Sequence, residues 1–181
     1  MAEPAVHKLK ELEPAVDIVW RAFELRPEPV PRRDPNGEYL QRVWNDSVYP
    51  LARRLNIKMK LPPLQPRSRL AHQASHWAKG EGRFEQYNQA VFRAFFESGR
   101  DIGDIEILTS LASDLGLESE RLRAALVNEA YRDSVLADER DAEQLGIHSV
   151  PAFVVNRKAA LSGVQPVENL KALIERARGF D

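Results

Sequence analysis

Leu145-Gly146-Ile147-His148-Ser149-Val150-Pro151-Ala152-Phe153-Val154-Val155-Asn156 is where the chain changes its hydrophobic period. Before it, apolar residues recur at helical spacing, and Gly146 stops that pattern as a helix C-terminal glycine does. After it, Ala152-Phe153-Val154-Val155 is short and β-branched, the composition of a strand that buries most of its surface. Asn156-Arg157-Lys158 supplies turn chemistry, and Ala159-Ala160-Leu161-Ser162 reads as the hairpin partner. Gly163-Val164-Gln165 leads to Pro166, which suits the first turn of a last helix through Ala177, with Val167, Leu170, Leu173 and Ile174 as its buried stripe.

Upstream lies a long helical block. Asn36-Gly37 opens a helix over roughly residues 38–55, and the prolines of Leu61-Pro62-Pro63-Leu64-Gln65-Pro66 break it off. Residues 69–79 form the next helix, stopped near Gly80. Residues 84–97 form another, with Phe84, Tyr87, Val91 and Phe95 on one face. Asp104 caps a third, with Ile105, Leu108, Leu111, Ala112 and Leu115 inside and Gly116 as its stop. Residues 119–126 and 131–145 continue the pattern.

At the front, Val16-Asp17-Ile18-Val19-Trp20-Arg21-Ala22-Phe23 reads as a strand, preceded by one or two helical turns over residues 5–12. Pro27, Pro29, Pro31 and Pro35 make the following stretch an extended loop. A lone strand or hairpin is marginal in water, so the front strand and the back hairpin are expected to share one sheet. The fold class is α/β, with residues 1–37 and 146–181 forming the sheet-bearing core and residues 38–145 an all-helical insertion.

Composition narrows the function. The 181 residues carry 26 Lys and Arg against 27 Asp and Glu, a formal net charge of -1, so there is no bulk attraction to nucleic acid or to an anionic membrane. Aromatics are not interleaved with basic runs, so no platform for single strands is expected. No segment reaches about eighteen consecutive apolar residues, so no membrane span is expected. The N-terminus MAEPAVHKLKELEP has no apolar h-region, which leaves the cytoplasm as the expected location. The chain has no cysteine, which excludes disulfides, thiolate nucleophiles and Cys-ligated metals within it.

The segment from Gly146 through Phe153, followed by Ser162-Gly163-Val164-Gln165-Pro166, resembles the C-terminal half of DsbA-like thioredoxin-fold proteins. The branch it is most similar to contains FrnE-type oxidoreductases and 2-hydroxychromene-2-carboxylate isomerases. Trp20-Arg21-Ala22-Phe23-Glu24-Leu25 resembles the strand after that family's first helix. Residues 84–97 and Asp101-Ile102-Gly103-Asp104 resemble its helical insertion. The resemblance implies a thioredoxin-like sheet, a cis bond at Val150-Pro151, and a groove there that holds an extended ligand by main-chain pairing. The substrate-binding residues it implies are Ser149, Val150, Pro151, Ser162, Gly163 and Gln165, and the ligand it implies is glutathione or an extended peptide. It implies no cofactor.

The chain departs from that family at the front. The family's Cys-x-x-Cys, or the serine of its isomerase branch, lies at the end of the first strand and the start of the first helix. Residues 5–13 resemble only the end of that helix, so the first strand and the nucleophile would have to precede Met1. No catalytic residue is therefore assigned. Three readings stand side by side: a DsbA-like oxidoreductase unable to exchange disulfides as this cysteine-free chain, a non-catalytic peptide- or thiol-binding module, and a glutathione-dependent isomerase-like protein. With the central strand of the sheet missing, the two halves close up, another chain donates a strand (a homodimer being the simplest case), or the packing is loose.

Other candidates carry less. His72 and His76 share a helix face at i, i+4, but a metal site wants a third ligand, so solvated or core-edge histidines are expected. His148 is read as a wall of the Pro151 groove. Arg67-Ser68-Arg69 is read as an anion site or, more often for such clusters, a solvated helix start. The free N–H groups at the start of the last helix could take a carboxylate or be ordinarily capped. Trp44 and Trp77 are read as core or groove-lining aromatics.

Overall fold

The computed structural model describes residues 1–179. Its elements are α1 (Glu3–Leu12), α2 (Glu38–Val43), α3 (Tyr49–Arg54), α4 (Arg69–Gly80), α5 (Phe84–Phe92), α6 (Ile105–Asp114), α7 (Ser119–Val127), α8 (Arg132–Gln144), the strands β1 (Ala152–Val155) and β2 (Ala159–Ser162), and α9 (Val167–Arg178). Among the described residues no helix is long and apolar enough to cross a membrane.

The hairpin falls where the sequence places it. β1 and β2 are antiparallel, with Ala152 opposite Ser162 and Val155 opposite Ala159. Asn156 and Arg157 both take positive φ, 50° and 59°, the backbone that tight hairpin turns require. Leu170, Leu173, Ile174 and Ala177 of α9 are buried behind the hairpin, where they meet Phe153 and Val155.

Residues 16–23 require a correction. They are extended, and burial alternates: Val16, Ile18, Trp20, Ala22 and Glu24 turn inward, while Asp17, Val19, Arg21 and Leu25 are exposed. Yet they pair with no strand, and the sheet among the described residues is the two-stranded β1–β2 hairpin. A strand is defined by its ladder, and no neighbouring strand offers one here. The inward side chains still pack. Val16, Ile18 and Trp20 join Phe153 and Val155 against a small core of Val6, Leu9, Leu170 and Ile174.

The larger core is helical. Trp77, Tyr87, Leu108, Leu122 and Leu126 from α4 to α7 are all at most 3% exposed in one cluster. Fully burying a leucine there contributes about 1.5–3 kcal/mol. The Tyr87 hydroxyl donates to the Leu108 carbonyl at 2.9 Å, so this buried phenol is satisfied. Asp104 caps α6 by accepting the Glu106 N–H, and Gly116 ends the following turn at φ 70°.

Two helices differ from the sequence reading. The helix over residues 38–55 is interrupted by a π turn, Trp44–Val48, in which the Tyr49 N–H reaches back to the Trp44 carbonyl. Pro50 explains it, because its nitrogen has no hydrogen to continue the regular ladder. The helix over residues 84–97 ends in a second π turn, Arg93–Glu97. The helix expected to stop near Gly80 does so, since Gly80 is the last residue of α4, and the chain reverses at Gly82, φ 68°.

Candidate functional site

The six residues assigned to ligand binding gather at the open end of the hairpin. After α8, Gly146 at φ 67° lets the Ile147 N–H return to the Ala142 carbonyl at 2.9 Å, and the chain leaves with His148, Ser149 and Val150 exposed. The Val150–Pro151 peptide bond is cis. The Pro151 carbonyl accepts the Gly163 N–H at 2.8 Å, which closes the hairpin end and brings residues 149–151 beside residues 162–165. Gln165 also makes bonds within the chain. Its Nε2 donates to the Ser162 carbonyl at 2.7 Å and its Oε1 accepts from Asn169 at 2.8 Å. It ties the strand end to the first turn of α9. The main-chain N–H and C=O of Val150, by contrast, have no partner among the described residues.

A second polar constellation was not legible as a site. Asp138 of α8 is 2% exposed and gathers three donors: Arg21 Nη1 at 2.8 Å, the Ala22 N–H at 2.9 Å and His76 Nε2 at 3.0 Å. Beside it, Glu24 is buried and accepts from Arg69 Nε at 2.6 Å. His72 Nε2 lies 3.2 Å from the Phe23 carbonyl. Burial pushes the His72 pKa below its ordinary value, against the opposing charge of Glu24. Burial, then the facing Glu24 carboxylate, pushes Glu139 up. The two histidines are thus bound to the extended segment and to α8. Among the described residues no group of three or more His, Asp or Glu side chains is arranged to hold a metal.

Two residues carried readable signals of this cluster. Asp138 falls three positions after the fully buried Val135, on the inward face of α8. Glu24 falls in the inward register of an alternating segment. A charge in either place demands partners.

Arg67 and Arg69 are neither an anion site nor a solvated helix start. Arg67 Nη1 donates to the carbonyls of Arg26 and Val30, at 2.5 and 2.7 Å, and so staples the proline-rich loop. Arg69 is committed to Glu24. Trp77 belongs to the helical core, and Trp44 packs edge-on against Tyr49 with ring centres 5.4 Å apart. A cleft of about 260 Å³ opens between α1, the extended segment and α5, with Val6, Ile18, Trp20 and Phe84 in its wall. None of the six assigned residues lines it.

The family model for the DSBA-like thioredoxin domain matches residues 1–175. The chain belongs to that family. This DSBA-like domain is 37% identical over 144 residues to the uncharacterized protein YwbO of Bacillus subtilis, a match covering 77% of this chain and 72% of that one. Among solved structures it is similar to a probable DsbA oxidoreductase from Streptomyces coelicolor, with TM-score 0.81 and 29% identity over 98% of this chain and 83% of the other. It shares the fold of a 2-hydroxychromene-2-carboxylate isomerase, with TM-score 0.76 at 16% identity, covering 98% and 90%. It also shares that of a putative protein disulfide isomerase from Nitrosomonas europaea, with TM-score 0.67 at 17% identity, covering 97% and 89%. The DSBA-like domain described here is therefore a thioredoxin-like fold with a helical insertion, in a family of oxidoreductases.

Proposed function

We propose that this chain is a FrnE-type DsbA relative that binds an extended peptide at the Val150–Pro151 end of β1 and performs no dithiol exchange with its own residues. The observation that carries the binding reading is the exposed, unpaired main chain of Val150 next to a strand with one free edge. An extended peptide can pair with such groups as an added strand does. The chemical half follows from composition. Exchange needs an attacking thiolate, and these 181 residues contain none. The 29% identity to the Streptomyces oxidoreductase, against 16% to the isomerase, favours the oxidoreductase branch over the isomerase one.

The test has two arms. In insulin reduction with dithiothreitol, the pure protein is expected to give the uncatalysed rate, and turnover well above it would overturn the chemical half. In NMR titration, an unstructured peptide is expected to shift the amides of Ser149 and Val150. Shifts produced by glutathione alone and not by the peptide would move the ligand to the thiol compound. No shift at those amides with either would end the binding reading.

A further inference from the structure

We infer that the cleft between α1, the extended segment and the α4–α5 turn is a binding site for a free aromatic α-amino acid in its zwitterionic form. The inference is independent of the peptide-binding reading, because no residue of β1, β2 or α9 lines this cleft.

The walls are part aromatic and part charged. Trp20 and Phe84 lie with ring centres 6.3 Å apart and planes tilted by 33°, and Val6 and Ile18 stand with them in the lining. Of the three tryptophans, Trp77 and Trp44 are buried, at 3% and 8% exposed, whereas Trp20 is half-buried. Trp20 thus keeps ring surface open beside an apolar wall. A ring taken in here finds partners for the tilted and offset contacts that aromatic groups favour. The volume, about 260 Å³, lies below the roughly 300–1,000 Å³ of sites for drug-sized ligands. It suits one amino acid rather than a peptide.

The charges decide the polar end of the ligand. Lys10 of α1 and Glu85 of α5 both line the cleft, and they pair with each other at 3.0 Å. One cation and one anion remain. Lys79, at the end of α4, and Asp17, in the extended segment, are exposed and line the same cleft. Neither side chain has a hydrogen bond or ion pair to another described residue. A ligand with a carboxylate alone would leave Asp17 facing a like charge, and one with an amine alone would do the same to Lys79. A ligand that carries both charges beside one apolar group meets Lys79, Asp17 and the aromatic wall together. That combination is an α-amino acid, and the Trp20–Phe84 wall selects an aromatic side chain. His7 is the remaining polar residue of the lining, so the titrations are set at pH 8, above the ordinary range of a histidine.

The test titrates the full chain with L-phenylalanine, L-leucine, 3-phenylpropanoate and phenethylamine. Binding is read by tryptophan fluorescence and by amide NMR shifts at Ile18 and Trp20. L-Phenylalanine is expected to bind about fivefold more tightly than either single-charge analogue, the worth of one partly exposed charge pair. L-Leucine, which has no ring, is expected to bind about fivefold more weakly than L-phenylalanine. Asp17→Asn is expected to weaken L-phenylalanine about fivefold and to leave 3-phenylpropanoate no weaker, while Lys79→Met is expected to weaken L-phenylalanine alike and to leave phenethylamine no weaker. Both side chains are exposed, so neither change disturbs the core. Equal binding of L-phenylalanine and a single-charge analogue overturns the inference, as does L-leucine binding as tightly as L-phenylalanine. L-Phenylalanine binding that both variants leave intact, or that moves the Ser149 and Val150 amides in place of Ile18 and Trp20, overturns it too. Binding of none of the four compounds has the same force. The peptide titration at Val150 reads out separately, so the peptide-binding reading stands or falls on its own result.

Discussion

Asp138 Oδ2 accepts the main-chain N–H of Ala22 at 2.9 Å, a bond between α8 and the extended segment 116 residues away in sequence. It satisfies an N–H that a sheet ladder would otherwise take, and it holds Ala22 in the inward register. The other donors on the same carboxylate, Arg21 and His76, make it the junction of the segment, α4 and α8.

Replacing this junction has graded consequences. Asp138→Ala leaves the Ala22 N–H and His76 Nε2 without their acceptor and is expected to cost about 2–4 kcal/mol, as leaving buried donors unsatisfied does. Asp138→Asn keeps one oxygen for Ala22 but turns an NH2 group toward Arg21. Arg21 is 62% exposed in its side chain and can swing into water, so the expected cost is about 1–2 kcal/mol. Urea unfolding measures both. Hydrogen exchange at Ala22 is expected to accelerate in the alanine variant and to stay slow in the asparagine one, and acceleration in neither would remove Asp138 from this role.

The hairpin was legible to the residue and α9 to within one residue at each end, because period, turn chemistry and a proline start agreed over a short span. The segment at residues 16–23 was half legible. Alternation in sequence reports which side chains face a core, and those do, but it cannot report whether a neighbouring strand exists to form the ladder. The π turn before Pro50 was hidden because the apolar positions keep helical spacing on both sides of it. Of the candidate site, the hairpin end was legible from the Val150-Pro151 and Ser162-Gly163 stretches. The bond from Asn169 to Gln165 was not, since a glutamine before a helix carries no mark of its partner. The Asp138 cluster depends on three elements meeting, and its Arg21 and His76 partners look like surface residues until the extended segment and α4 are oriented.

Two glycines with nearly the same backbone separate conformational strain from collision. Gly99 and Gly146 take φ 69° and 67°. A Cβ at Gly146 would meet nothing within 4 Å, whereas one at Gly99 would lie 2.8 Å from Cδ of Pro63, part of a rigid ring. Gly146→Ala is expected to cost about 1 kcal/mol from the left-handed backbone alone. Gly99→Ala adds the displacement of the Pro63 loop, for an expected total of about 2–4 kcal/mol. Equal unfolding midpoints for the two variants would show that the Pro63 loop yields without cost.

His72 and Glu139 face the extended segment from α4 and α8, and their pH effects have opposite signs. The His72 pKa is depressed in the folded chain below its ordinary 6.5, by burial first. The unfolded chain therefore takes up that proton more readily. Stability from this group is fully present above pH 6.5 and is lost as pH falls below 6.5 toward the folded value, by at most about 1.4 kcal/mol per pH unit for one proton. Glu139 is raised above 4.5, by burial first and by Glu24 next. Its folded form holds the proton more readily, so its contribution is fully present below pH 4.5 and is lost as pH rises through the raised value. Glu24, Arg69, Arg21, His76 and Asp138 share the interface, so the two effects are to be read as single variants and not summed. Relative to the parent, His72→Asn is expected to gain stability as pH falls below 6.5. Glu139→Gln is expected to gain it as pH rises above 4.5. Urea midpoints measured between pH 4 and 8 check both slopes. Midpoint curves parallel to the parent's in both variants would mean that neither proton is linked to folding.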